Sequence, residues 1–92
     1  MFSAESLVVI GTEWNNRTVN AMIDALTKKT VSSIYITKED STRQVAMKSL
    51  IGLLSGGFKK GDTVKLVVIG ENKDTVKRDL ELAEELLEGE NS

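Results

Sequence analysis

Val45-Ala46-Met47-Lys48-Ser49-Leu50-Ile51-Gly52-Leu53-Leu54-Ser55 is the stretch on which the fold assignment turns. Up to Met47 polar and apolar residues are mixed, as expected of a strand at a sheet edge. Ser49 then opens an apolar run too short for a long helix, and Gly56-Gly57 breaks it. A serine there suits a helix N-cap, because its hydroxyl can accept from a backbone N–H two or three residues on. The same position tolerates negative charge, since exposed N–H groups and the helix dipole stabilise an anion. Phosphate on such a serine would alter the surface strongly and the fold little. Read by itself, Ser49 is a plain cap.

Working outward, Arg43 to Met47 is a strand, and Lys38 to Thr42 before it is a charged hairpin loop. Val31 to Thr37 is a β-branched strand with one tyrosine. Upstream lies a helix with Val19, Met22, Ile23 and Leu26 on one stripe. Asn15 or Asn16 can cap it, and Lys28 and Lys29 complement its dipole at the far end. Ser6 to Ile10 is a short apolar run, read as a buried strand.

Downstream, Phe58 re-enters the core and Lys59 to Asp62 form a turn. Thr63 to Ile69 is the most strand-like segment, and its near-continuous apolarity implies a central place in the sheet. Asn72 or Asp74 can cap the last helix, whose stripe is Val76, Leu80, Ala83 and Leu87. Glu81, Glu84, Glu85 and Glu88 read as its solvated face, and Gly89 onward as a frayed tail.

The totals narrow the function. With 92 residues the chain is read as one domain with one modest core, and a net charge of −2 gives no electrostatic case for nucleic acid or anionic membrane. No run of roughly twenty apolar residues can span a bilayer, and without a leader-like N-terminus the expected compartment is cytoplasmic. Histidine and cysteine are both absent. That removes the common zinc sites and the Ser-His and Cys-His nucleophile pairs, so neither a metal nor a cofactor is expected, and no enzyme activity.

The element order is β-α-β-β-α-β-α, an α+β chain. Its first six elements also fit a ferredoxin-like fold. Two features argue against that fold. The second helix is only about two turns long, and a third amphipathic helix needs the sheet face for its own stripe.

These residues resemble the HPr family, small phosphocarriers of the bacterial phosphoenolpyruvate-dependent sugar phosphotransferase system. The resemblance runs from about Ser6 to Glu88. Its most specific part is Val45 to Ser55, similar to the V-N-x-K-S-I-M-G-x-M-S run of low-GC Gram-positive members. It implies an open-faced β-sandwich, with a four-stranded antiparallel sheet in the order 1-4-2-3 and three helices on one face. It also implies that Ser49 is a regulatory phosphorylation site and that Leu50 and Ile51, with Leu54, contact partners.

The family's second motif, Gly-hydrophobic-His-x-Arg-Pro, is replaced by Glu13-Trp14-Asn15-Asn16-Arg17-Thr18. Arg17 matches the arginine and is expected to pair with acidic groups or a phosphate. Asn15 stands where the phosphorylated histidine belongs, Glu13 replaces the glycine and Thr18 the proline. The hairpin from Thr37 to Thr42 is also slightly longer than usual. A carboxamide does not accept phosphate as imidazole does, because its lone pair is delocalised. Trp14 reads equally as a core aromatic or as a partner contact.

One branch of the family, Crh, likewise lacks the histidine and keeps the serine. A role of that kind implies HPr kinase/phosphorylase and a LacI-type catabolite control protein as partners, with the chain a monomer or weak dimer. Leu50 and Ile51 are expected to form an exposed pair, with Leu53 facing the sheet. The competing reading is an anion- or small-molecule-binding module, in which the Asn15-Asn16 cap and the Ser49 cap share one phosphate-sized site.

Overall fold

The computed structural model describes residues 1–89. Its elements run β1 (Phe2–Val9), α1 (Asn16–Lys29), β2 (Ser33–Lys38), β3 (Val45–Ala46), α2 (Leu50–Ser55), β4 (Thr63–Gly70) and α3 (Lys73–Glu88). The four strands form one antiparallel sheet in the order β1-β4-β2-β3. This is the α+β architecture that the element order and the resemblance imply, with three helices and an open face.

One sheet face carries Val8, Val64, Leu66, Val68, Ile34, Ile36 and Val45 into the core. The helices close over it with Val19, Met22 and Leu26 from α1, Leu53 from α2, and Val76, Ala83 and Leu87 from α3. Removing these side chains from water is the main favourable term in folding. The 3.6-residue spacing of both long helices is therefore what builds the core.

The strands differ from expectation at three places, each with a local cause. β1 is not buried on both faces: it is an edge strand, and Leu7 and Val9 are 65% and 55% exposed on the open side. Only alternate residues of an open-faced sheet meet the helices, which a short apolar run does not reveal. β2 starts at Ser33 rather than Val31. The Val31 and Ser32 amides donate instead to the Asp79 carboxylate on α3, at 3.1 and 3.0 Å. β3 is only Val45–Ala46, extended by a bond from the Met47 amide to the Ile34 carbonyl (2.8 Å). Before it, the Ser41 hydroxyl takes the Arg43 amide at 3.1 Å, so a local turn competes with the ladder.

Asn72 caps α3 by accepting the Thr75 amide at 3.0 Å. Gly89 is not frayed: at φ 81° it donates its N–H to the Glu85 carbonyl (3.1 Å) and lies against the Thr12 backbone. That left-handed cap is a glycine conformation. The rest of the expected tail, from Glu90, lies outside the described residues. Gly11 is needed for a different reason. Its N–H meets the Leu87 carbonyl at 2.9 Å, and an added Cβ would stand 2.1 Å from the Glu88 oxygen. The end of β1 and the end of α3 are thus in backbone contact.

Candidate functional site: the starts of two helices

Ser49 has an extended backbone (φ −107°, ψ 107°), and its hydroxyl accepts the Gly52 N–H at 3.2 Å while its carbonyl accepts from Leu53 at 3.0 Å. It is the N-cap that the sequence suggested, and it is half-buried. Gly52 leaves room for it, since a Cβ there would come within 3.1 Å of the serine hydroxyl and 2.9 Å of Val45.

The apolar residues of α2 divide by helical phase. Leu53 is fully buried, and Leu50, one turn back on the same side, is half-buried against the core. Ile51 and Leu54 point the other way, 80% and 41% exposed. The exposed pair is therefore Ile51 and Leu54, and the expectation for Leu50 is corrected. Residues three apart share a helix face, so whichever leucine faces the sheet takes Leu50 with it.

Trp14 joins the two helix regions. Its indole N–H donates to the Leu53 carbonyl at 3.0 Å, and its ring meets Phe58 at 5.7 Å between centroids, tilted by 51°. A tilted aromatic pair of this kind adds about 0.5–1.5 kcal/mol beyond burial. The ring is half-buried, which leaves one edge at the surface beside α2.

Asn15 caps α1, with its side-chain oxygen accepting the Thr18 N–H at 3.0 Å. The Thr18 hydroxyl closes a reciprocal box, accepting from the Asn15 amide at 3.2 Å and donating to the Glu13 carbonyl. Glu13 reaches the Lys60 ammonium at 3.3 Å, an exposed pair worth little by itself. Arg17 is exposed and enters no ion pair among the described residues. No hydrogen bond joins the Asn15 cap to the Ser49 cap among the described residues, and Trp14 ties α1's approach to the opposite end of α2.

Asp79 is what the sequence reading missed. It is fully buried on α3, in the apolar stripe between Val76 and Ala83. Burial by itself pushes its pKa up, but the Ser32 side chain, the Ser32 and Val31 amides and Arg78 (3.3 Å) outweigh that and hold it below 3.8. The Ser32 hydroxyl faces this carboxylate closely enough to favour its charge, yet makes no hydrogen bond of ordinary geometry. Position within the stripe, i+3 from Val76, was the only available signal. Glu84, read as solvated, is half-buried and accepts from Ser6 at 2.6 Å.

Among the described residues no three His, Cys, Asp or Glu side chains are grouped to hold a metal ion. Among them too, no helix is long and apolar enough to cross a membrane.

A four-stranded 1-4-2-3 sheet, helix starts at Asn15 and Ser49, and an exposed apolar edge on α2 define a phosphocarrier-type fold. The family model for the PTS HPr component phosphorylation site matches residues 7–85, and the chain belongs to the HPr family. HPr-C-His from Thermoanaerobacter tengcongensis is similar at 24% identity and a TM-score of 0.66, with 100% of both chains covered. The phosphocarrier protein HPr from Bacillus anthracis is 15% identical, TM-score 0.69, over 90% of this chain and 98% of that one. A histidine-containing phosphocarrier protein of Mycoplasma is 15% identical, TM-score 0.61, over 89% and 90%. At these identities the solved structures speak for the fold alone. No curated protein sequence matches. HPr proteins are phosphocarriers that work through phosphotransferase-system partner proteins, and they are not themselves enzymes.

Proposed function

We propose that this chain is a regulatory HPr-family protein without histidine phosphocarrier activity, switched by phosphorylation of Ser49. It acts in carbon catabolite control, through protein–protein contacts, in the cytoplasm, as a single domain that is monomeric or weakly dimeric. HPr kinase/phosphorylase is its modifying partner and a LacI-type catabolite control protein its target. The observation that carries the reading is a capping serine beside an exposed apolar pair, in a chain without histidine.

The chemistry follows from these residues. The Ser49 hydroxyl attacks the γ-phosphorus of ATP, its proton passes to a base of the kinase, and the bond to the bridging oxygen breaks to release ADP. The new group carries about −1.5 to −2 charge at the positive end of α2, a gain of about 0.3–1 kcal/mol. Domain stabilities are about 5–15 kcal/mol, so the fold persists. The larger effect falls on a partner, because a dianion beside Ile51 and Leu54 can meet an arginine in charge-assisted hydrogen bonds. Leu50 holds the helix on the core beneath them, Trp14 adds a ring edge to the contact surface, and Arg17 supplies a cation at the neighbouring helix start.

Asn15 has no nucleophilic lone pair, and its oxygen is committed to Thr18. The alternative is an anion-binding module at the two helix starts, where one amide of each, Thr18 and Gly52, is already held by its cap oxygen.

The test is incubation with HPr kinase and ATP, with the site mapped by mass spectrometry. Phosphate on Ser49 is expected. No incorporation, or incorporation only at Ser41 or Ser55, would overturn the regulatory reading and leave the family assignment intact. In parallel, phosphoenolpyruvate and Enzyme I should give no acid-labile phosphoprotein.

A further inference from the structure

The side of the sheet turned away from the helices is not the polar surface that an open antiparallel sheet ordinarily shows to water. Residues directly opposite in the ladder share a face, so the register gives its make-up. One row across it is Glu5, Val67, Tyr35 and Ala46, and the next is Leu7, Lys65 and Thr37. Leu7 and Val9 stand exposed on it, and Val67 and Tyr35 continue the apolar surface across the middle.

The two edges of this face differ in shape and in charge. At the β1 edge the exposed Leu7 and Val9 lie beside the exposed Glu5 carboxylate. Along the other edge, at β2 and β3, runs a shallow hollow of about 280 Å³ whose lining includes Ser33, Tyr35, Ala46 and Lys48. Lys48 is exposed and enters no ion pair among the described residues. The Lys65 ammonium lies 3.8 Å from Glu5, so its charge sits towards the β1 edge and leaves Val67 and Tyr35 in an uncharged middle. A face with a protruding acidic edge and a hollow basic edge is its own complement. A partner of one charge sign would satisfy only one edge, whereas a second copy satisfies both.

We propose that two copies of this chain associate through the open sheet face. A two-fold axis parallel to the strands, between the two sheets, sets β1 of each copy over β2 and β3 of the other. Leu7 then enters the hollow beside the partner's Tyr35 and Ala46, Glu5 meets the partner's Lys48, and Val67 packs on the partner's Tyr35. Symmetry makes each contact twice. Four strands about 4.8 Å apart, eight residues long at about 3.3 Å each, give a face of about 500 Å² and a buried total of about 1,000 Å². Stable complexes bury about 1,600 Å², so this dimer is weak and reversible. The surface is independent of Ser49 and survives if the Ser49 reading fails.

The experiment is analytical ultracentrifugation of the full chain from micromolar to millimolar concentration, with a ¹⁵N–¹H NMR dilution series over the same range. A reversible monomer–dimer equilibrium is expected, with concentration-dependent shifts at Leu7, Val67, Tyr35, Ala46 and Lys48 together. Leu7→Lys should abolish association while circular dichroism shows an unchanged fold, since the side chain is already exposed. Lys48→Glu and Glu5→Lys should each weaken it about five- to tenfold, the scale of two exposed ion pairs reversed. The double variant Glu5→Lys, Lys48→Glu should associate more tightly than either single one. Ile51→Ser, on the helix side of the molecule, should leave association unchanged. A monomer at every concentration would overturn the proposal. So would shifts confined to β1, which mark a contact through the strand edge, a double variant no tighter than the single ones, or loss of association in Ile51→Ser.

Discussion

Asp79→Ala should cost this protein about 3–5 kcal/mol of stability, although the residue lies on a helix whose neighbours are charged and exposed. The carboxylate is fully buried and accepts the Val31 and Ser32 amides at 3.1 and 3.0 Å. Val31 is exposed, so its N–H can turn to water. Ser32 is buried, and its orphaned N–H costs about 1–3 kcal/mol. Loss of two charge-assisted hydrogen bonds supplies the rest. For a chain of 92 residues the total stability is about 5–14 kcal/mol, so the change is a large share. Asp79→Asn keeps an acceptor of the same shape and should lose only about 1–2 kcal/mol. Urea unfolding followed by circular dichroism measures both, as a fall in midpoint at unchanged slope.

The pH dependence is a second readout. The folded pKa lies below 3.8, so the unfolded chain binds the proton more readily. Stability from this group is full well above that value and is lost as pH falls through the folded pKa. Asp79→Asn should therefore flatten the acid limb of the stability profile. An Asp79→Ala protein within about 1 kcal/mol of the parent would refute the reasoning, since both amides would then have other partners.

Gly11→Ala should lower stability by about 1–3 kcal/mol, because its Cβ meets the Glu88 carbonyl at 2.1 Å; a thermal scan with no shift would mean that α3 ends free of β1. Ser49→Ala should abolish kinase-dependent phosphate and cost about 1 kcal/mol through the lost cap, read by mass spectrometry and by urea unfolding. Ile51→Ser should leave the urea midpoint within about 0.5 kcal/mol of the parent, since the side chain is 80% exposed, yet weaken capture of the phosphorylated protein by its partner.

Local chemistry explains what was legible in the sequence. The stripes of α1 and α3 declare themselves by period, and Ser49, Asn15 and Asn72 by their capping chemistry. What escaped depends on distant partners. The start of β2 is set by Asp79, far along the chain, and a carboxylate on an amphipathic helix ordinarily reads as surface. The run Leu7 to Ile10 looks buried because alternation is masked when both faces are apolar, and only the arrangement of all three helices on the other side leaves Leu7 and Val9 on an open face. At the candidate site the serine was readable from its neighbours. The exposed pair was misjudged although Leu53 was correctly turned to the sheet: Leu50, three residues back, shares that face, and Leu54 takes its place beside Ile51 outside.

The place of β4 in the sheet governs how the chain is made. Among the described residues β1 pairs only with β4, in a register that sets Phe2 against Gly70. On the ribosome, the first strand therefore waits without a neighbour until most of the polypeptide has emerged. Loop closure over so long a segment is entropically costly and must precede the contacts that reward it, so folding is slow for the chain's size. During that interval the apolar runs around Val8 and Ile36 are unprotected, the condition in which nascent chains engage holdase chaperones or aggregate. No shorter N-terminal fragment can assemble this sheet, and productive folding begins only after Gly70 has cleared the exit tunnel.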